Sequence, residues 1–506
     1  MEVSDTVPVC ALPLKERVVL QDPTPLSSSA LWDLNGRYFL ARGPLAWEEV
    51  PDYVTTSTWN GRIQAELIFG FLQDLVAQGQ LGREGRVTIL ELASGTGRLA
   101  FHLDRWLQGL LAESELADMD VQLVLTDLVD KNLDAARRQP WFVEQAAAGR
   151  VRFAAWDLCA DDLPVAIDGP VVVLANYCFD GVPTDAYRVE GGAIKAMNMG
   201  MSIPLDADPE DPRLLDYLAV HWEAVDVADG NPHAPLLQHY ADSVQGAFTL
   251  PVAGLAFIDR IRCLTPSSLV IVADKGPRRL DEVPRDEMEE IARHGSISMN
   301  VNLHGLAWWN EHIGGKSLSC WHPGEGLDTI VLSRGVRPQA LNRAFSRWSD
   351  LDAGTYGTIW EMACAVSPEN AGEALTLLRL CGHEPTGLER TVDVLEEAIL
   401  SGDVDSATIL GVLERVEATS YLPEPYDVYF DMGRLAYAIE DWELAVRYFS
   451  ESADALPMST PSWTNLAAAA FQFGDMEMAH SAVVQAVAFN PEDNDALEVY
   501  SWFDED

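Results

Sequence analysis

VTILELASGTGRLAFHL, residues 87–103, is the stretch whose reading decides the fold. Val87 to Leu90 form a short apolar run with the character of a strand, and Glu91 stands at its tip. Ala93, Gly95 and Gly97 follow, and Leu99, Ala100 and Leu103 then carry an apolar helical stripe. A strand that turns through small residues into a helix brings backbone N–H groups against a ligand, at the end of the helix that favours negative charge. Glycine suits such a turn because a Cβ would block close approach and because the turn needs unusual dihedrals.

Two ligand classes use this turn. Gly95-x-Gly97-x-x-Ala100 fits the dinucleotide fingerprint with alanine last. The longer string Glu91-x-Ala93-x-Gly95-x-Gly97 resembles motif I of class I S-adenosyl-L-methionine (SAM) methyltransferases. Glu91 separates the two: an acid at the strand tip repels a pyrophosphate and attracts a sulfonium ligand that also carries an α-ammonium group. A nucleotide site and an ordinary tight turn stand as the alternatives.

Further along, each apolar run ends in a polar residue. The second strand, VQLVLTDL, ends in Asp127, and a carboxylate there can accept hydrogen bonds from both ribose hydroxyls. The third, VRFAAWDL, ends in Trp156-Asp157, a pair suited to adenine, with a helix N-cap as the equal alternative for Asp157. The fourth, within GPVVVLANYCFDG, delivers Asn176, Tyr177 and Asp180 to the carboxyl edge, where open α/β sheets place their chemistry. Residues 190–260, Met- and Pro-rich at first, read as an inserted substrate subdomain. SLVIVADKG (268–276) reads as a fifth strand with a polar tip, and DTIVLSRG (328–335) as a last, antiparallel one. Residues 1–60 read as an arm or lid, with an aromatic-rich stretch from 31 to 60 better suited to core than to ligand, and the helix GRIQAELIFGFLQDLVAQ follows.

From about 337 the composition changes to alanine-leucine periodicity. Residues 337–425 read as a helical linker or degenerate repeats, and 426–459 aligns with 460–493 at a 34-residue period. Tyr429 pairs with Trp463, Met432 with Leu466, Ala445 with Ala479 and Pro457 with Pro491, which is the tetratricopeptide (TPR) pattern. The fold expected is therefore α/β, a Rossmann-like sheet with an inserted subdomain over 61–336, followed by an all-α TPR-type domain over 426–506.

Composition narrows the function. The 506 residues carry a formal charge of −45, which disfavours DNA or RNA as a partner. No run approaches the roughly 20 apolar residues of a membrane span, and the N-terminus lacks the order of a signal peptide, so a cytoplasmic protein is expected. Seven scattered cysteines without a C-x-x-C pair, and His294, His304 and His312 without metal-binding spacing, speak against disulfides and metals. Residues 421–506 hold 17 acids against Arg434 and Arg447. Such a surface suits a basic protein or peptide segment. Packing on the catalytic domain, or on a second copy as a homodimer, is the alternative.

Over about 50–335 the chain resembles class I SAM methyltransferases, and within them the MidA-like group. The resemblance rests on the Tyr53–Ser57 stretch, the ELASGTGRLA turn, the A-N-x-x-x-D-x-x-P string at Ala175, Asn176, Asp180 and Pro183, and SISMNVNLHGL. It implies SAM as cofactor, held by Glu91, Ala93, Gly95, Gly97, Asp127, Asp157 and Asn176, with Asn176, Tyr177 and Asp180 facing the acceptor and Asp180 as candidate base. The family usually has glycine where Ala93 stands and glutamate where Tyr177 stands. The second departure removes a group suited to a guanidinium and speaks against arginine as acceptor. A non-catalytic SAM-fold adaptor and an NAD(P)-dependent oxidoreductase are the rival functions.

Overall fold

The computed structural model describes residues 17–48, 53–160, 162–208, 211, 213–288, 291–319, 327–365, 367–421 and 426–503. The start of the expected arm (1–16), the thiols Cys10 and Cys320, and the side chains of Trp47, Tyr53 and His294 lie outside the described residues. The chain divides into two compact units, Met1–Tyr356 and Gly357–Asp506.

The first unit is built on a seven-stranded sheet. Its strands are β1 (Arg86–Leu92), β2 (Asp120–Asp127), β3 (Val151–Ala155), β4 (Val171–Asn176), β5 (Ser268–Lys275), β6 (Lys316–Ser319) and β7 (Leu327–Arg334), in the order β6-β7-β5-β4-β1-β2-β3. Strands β1 to β5 are parallel. β7 runs antiparallel to both β5 and β6. This is the α/β sheet expected from the sequence, including its antiparallel strand. Parallel strands covered on both faces must be apolar throughout, and Val171 to Ala175 of β4 are all fully buried.

The chain leaves β1 toward β2 and β3, then returns to build β4 and β5 on the other side. The reversal falls between β1 and β4, and the crevice at the carboxyl ends of strands at such a point is where ligands bind in open α/β sheets. Helix α1 (Thr58–Ala77) precedes β1, and Ser57 caps it by accepting a hydrogen bond from Asn60 N–H at 3.2 Å. Helix α2 (Arg98–Ala112) follows the glycine turn. Asp74 of α1 is buried and accepts hydrogen bonds from the N–H groups of Gln339 (2.8 Å), Ala340 (2.9 Å) and Leu341 (3.0 Å), so it caps the helix Ala340–Trp348. Asp74→Ala leaves those donors buried without a partner. It is expected to cost about 2 kcal/mol, read as a lower urea midpoint.

Residues 17–48 do not form a loose arm. Arg17–Thr24 is a strand that pairs antiparallel with Ala193–Pro204, and Leu31–Arg42 is a helix. The region read as a Met- and Pro-rich excursion is mostly a second sheet. Asp185–Glu190 and Ala193–Pro204 form a hairpin through Gly191-Gly192, both at positive φ (58° and 80°), the two-residue turn that glycine makes cheap. Ala219–Asp226 and Gly246–Leu250 complete the sheet. Met199 and Met201 are fully buried and pack with Leu26, Leu31 and Tyr38. The Met-rich segment is therefore core strand.

The second unit is all-helical. The 34-residue period falls on helix pairs, Val428–Ala438 with Trp442–Ala455, then Thr460–Phe473 with Met476–Phe489. Asp441 and Asp475 cap the second helix of each pair, accepting from Leu444 N–H (3.1 Å) and Met478 N–H (3.0 Å). Ala445 and Ala479 are fully buried. At Gly433 a Cβ would lie 2.6 Å from the Phe449 ring, so the paired helices meet where only hydrogen fits. Arg434 is ion-paired with Asp393 (2.7 Å), Glu396 and Asp431 (3.3 Å), and Arg447 with Glu417 (2.9 Å).

Candidate functional site

Because β1 to β5 are parallel, their carboxyl ends lie along one edge, and the polar residues that close them are brought together there. The turn after β1 is left-handed at three places: Ala93 (φ 48°), Gly95 (φ 54°) and Gly97 (φ 83°). A Cβ on Gly97 would sit 2.9 Å from the Ala136 Cβ and 3.0 Å from Leu125 Cδ2. The turn is fixed by hydrogen bonds from Gly97 N–H to Ser94 O (2.8 Å) and from Ser94 N–H to Thr126 O (2.7 Å). Ala93 adopts a conformation that costs an L-residue roughly 1 kcal/mol. Ala93→Gly is expected to raise stability by about 0.5 kcal/mol, the relief of strain partly offset by the greater freedom of the unfolded chain, and a small rise in Tm would show it.

Asp127, at the end of β2, is buried and ties the next strand to this turn. Its Oδ2 accepts from Gly95 N–H at 3.0 Å, and its Oδ1 from Val129 N–H (2.8 Å) and Asn132 Nδ2 (3.1 Å). A carboxylate has about four acceptor sites, so roughly one remains for a ligand hydroxyl. Burial raises the Asp127 carboxyl above its usual range, against the pull of those three donors.

Glu91 is the more exceptional group. It is 2 % exposed, and its Oε2 has no hydrogen-bond partner among the described residues. Burial, with the nearby Asp127 carboxylate adding repulsion, pushes its pKa up to about 8. A buried charge without a partner is costly, so this carboxyl is neutral at pH 7 until a cation reaches it.

Asn176 closes β4. Its Nδ2 donates to Thr55 O at 3.3 Å and its Oδ1 accepts from Asn60 Nδ2 at 3.4 Å, which joins the strand tip to the segment leading into α1. Tyr177 is left-handed (φ 49°), a conformation rare outside glycine. Its N–H donates to Ala273 O at 2.8 Å, and the Lys275 ammonium lies 5.4 Å from its ring centroid. Asp180 sits in the short turn Phe179–Gly181. Burial pushes its carboxyl up to about 7, although Lys275 pulls the other way. Asp157 is exposed and its Oδ1 accepts from Cys159 N–H at 2.7 Å. Among the described residues no helix lies between it and β4, and its carboxylate caps a turn. Trp156 beside it packs against the core near Phe257, with its indole N–H donating to Asp162 O at 2.8 Å.

Two residues of the edge carried no assigned role in the sequence. Asp274 and Lys275 end β5, which lies beside β4 in register Ala273↔Asn176. Asp274 is fully buried. Its Oδ2 accepts from Phe179 N–H (3.0 Å), so it holds the start of the turn that carries Asp180. Burial and the Asp180 charge raise the Asp274 carboxyl well above the carboxylate range. Two neighbouring acids in one buried setting hold on to a proton. The signal was the polar tip of SLVIVADKG, whose meaning depends on the pairing of β5 with β4.

Comparison with known proteins gives no sequence family whose pattern matches this chain, and no curated protein matches it. Solved structures do overlap it. One is an uncharacterized protein from Burkholderia thailandensis, at 16% identity and TM-score 0.43, covering 64% of this chain and 90% of that one. A second solved structure from Burkholderia thailandensis, described as a member of the same superfamily as the first and as a likely methyl transferase, and bound to S-adenosyl-homocysteine, overlaps at 18% identity and TM-score 0.38, covering 57% of this chain and 80% of that one. A SAM-dependent methyltransferase from Leishmania major overlaps at 11% identity and TM-score 0.29, covering 62% and 86%. All three TM-scores lie below 0.5, too low for these likenesses to decide the function of this chain.

Proposed function

We propose that the chain is a SAM-dependent methyltransferase of MidA-like type, working in the cytoplasm on a protein or peptide acceptor. The observation that carries this reading is the buried, unpartnered Oε2 of Glu91 beside a left-handed glycine turn. An orphaned carboxyl in that place fits a ligand with an ammonium group. The neighbouring Asp127 fits the same ligand's ribose through its remaining acceptor site. When bound, SAM supplies an activated methyl group on a sulfonium.

The chain's own residues do the rest. Glu91 takes the α-ammonium, and Gly95 and Gly97 admit the ligand to the backbone. Asp157, through the oxygen not engaged in its turn, serves the adenine at the rim. Asn176 anchors the edge between the two halves of the site. Asp180, with a pKa of about 7, is suited to take the acceptor's proton at neutral pH. Most of the rate comes from holding the acceptor in line with the methyl group, which is a matter of position. We read the helix pairs of the second unit as TPRs that hold a basic segment of the partner. From residue 357 onward the chain has no lysine.

Isothermal titration with S-adenosyl-homocysteine tests the reading. Micromolar binding is expected, weakened more than tenfold, about 1.4 kcal/mol, in Asp127→Ala. Absence of binding in the wild type leaves the fold as a scaffold and defeats the proposal.

A further inference from the structure

The acids at the first two strand tips are shut away from water. On the carboxyl edge of an open sheet such groups face a crevice, and they stay wet unless something lies over them. Glu91 and Asp127 are both buried, and the unpartnered Oε2 of Glu91 is closed to solvent. A ligand the size of S-adenosyl-homocysteine cannot reach that oxygen while the edge stays covered.

The helix Leu31–Arg42 lies across this edge. Near its start, buried Asn35 meets the turn after β4. Its Nδ2 donates to Gly181 O at 3.5 Å, and its Oδ1 accepts from Ile297 N–H at 3.1 Å. One residue on, Gly36 faces the segment after β2, where a Cβ would stand 3.8 Å from Leu128 Cδ2. Just past the helix, a Cβ on Gly43 would stand 3.3 Å from Lys131 Cδ. Asn35 to Gly43 spans about 12 Å at the helical rise. The tips of β4 and β2 are two strand spacings apart, about 10 Å, with β1 and its Glu91 between them. A helix that touches the loops after both strands therefore passes over the tip of β1.

Its two sides are held unequally. Toward the second sheet, Leu31 and Tyr38 share a core with Met199 and Met201. Tyr38 also packs so closely on Gly295 that a Cβ there would fall 2.6 Å from its hydroxyl. Toward the cofactor half, two glycines meet the Lys131 chain and Leu128, which is 48 % exposed. Contacts made through glycines and an exposed side chain bury little apolar area and add little stability. Such seams are the first parts of a fold to open.

We propose that the helix Leu31–Arg42 is the roof of the cofactor crevice, that the seam between Gly36–Gly43 and Leu128–Lys131 is its entrance, and that the entrance is shut in this structure. This rests on the proposed methyltransferase function and names the part of the chain that moves for the same site to load. The roof stays with the second sheet while the seam parts. Once the ligand is in, the roof closes over it and keeps water from the sulfonium. Asn35 links the roof to the turn that carries Asp180, so closure and placement of the base go together.

Hydrogen exchange read by mass spectrometry on the full chain, with and without saturating S-adenosyl-homocysteine, tests the proposal. Amides of residues 35–42 are expected to exchange at least about fivefold more slowly with the ligand, together with those of the glycine turn. A protected glycine turn beside an unchanged helix would overturn the proposal. No protection at either place defeats the methyltransferase function, and this proposal with it. A kinetic arm uses Gly36→Cys with Leu128→Cys, bridged by diamide and checked by intact mass. The bridge should slow association of S-adenosyl-homocysteine at least about tenfold, and dithiothreitol should restore it. Wild type treated alike controls for the exposed Cys159 and Cys263. A bridged variant that binds at the reduced variant's rate would also overturn the proposal. Where the bridge does not form, the exchange result decides alone.

Discussion

Glu91→Gln is expected to lose cofactor binding while making the ligand-free protein more stable at pH 8. The two effects have one cause. In the folded chain Glu91 has its pKa pushed from 4.5 to about 8 by burial and by Asp127. In the unfolded chain it ionises near its ordinary value. The folded state therefore holds the proton more tightly, and stability falls as pH rises from about 4.5 to about 8. Below that window the neutral carboxyl costs nothing extra. Above it, a buried anion without a partner must be tolerated, at a cost on the order of several kcal/mol. Glutamine keeps the shape and removes the charge, so the variant's urea midpoint should decline less from pH 5 to 8 than the wild type's, the remaining decline belonging to the other buried acids with raised pKa, Asp127, Asp180 and Asp274. Binding moves the other way. Removing one member of a buried charge pair costs about 2–5 kcal/mol, so S-adenosyl-homocysteine affinity should fall at least thirtyfold. A variant that binds normally would take Glu91 out of the site.

Asp180→Asn is expected to lower turnover by about 10²–10⁴-fold with little change in cofactor affinity, the range for loss of a general base. Turnover can be followed with methyl-labelled SAM and native lysate as the acceptor source. The wild-type rate should rise with pH through about 7, because the base acts only when ionised and its pKa lies there. The variant should be flat over the same range. Lys275 holds the Asp180 carboxyl down, so Lys275→Gln should move the limb to higher pH. A variant with the wild-type rate and the same limb would mean that Asp180 is only a turn residue, held by Asp274 for structural reasons.

The sequence made the cofactor half of the site readable because its signals are local. The turn from Glu91 to Gly97 spans seven residues and carries its own chemistry, and Asp127 closes a run of apolar residues that could only be a buried strand. The acceptor half was less readable because it is assembled by pairing. Asp274 matters through Phe179, 95 residues earlier in the chain, and Lys275 through the ring of Tyr177. Neither contact leaves a pattern in the sequence. The second sheet was hidden for the same reason. Arg17–Thr24 finds its partner in residues 199–204, and its apolar residues do not alternate cleanly: Val18, Val19 and Leu20 are all exposed. The Met-rich stretch gave no strand signal within the expected insertion because Met has no strand preference of its own, and burial against Tyr38 and Leu31 decides the matter.

Titration with S-adenosyl-homocysteine in two buffers of different ionisation enthalpy, at pH 6 and pH 7, tests the central electrostatic claim most directly. If the ligand's ammonium meets a carboxyl that is protonated beforehand, binding releases close to one proton at both pH values, and affinity tightens about tenfold from pH 6 to pH 7. Binding without proton release and with the same affinity at both pH values would mean that Glu91 does not face the ligand.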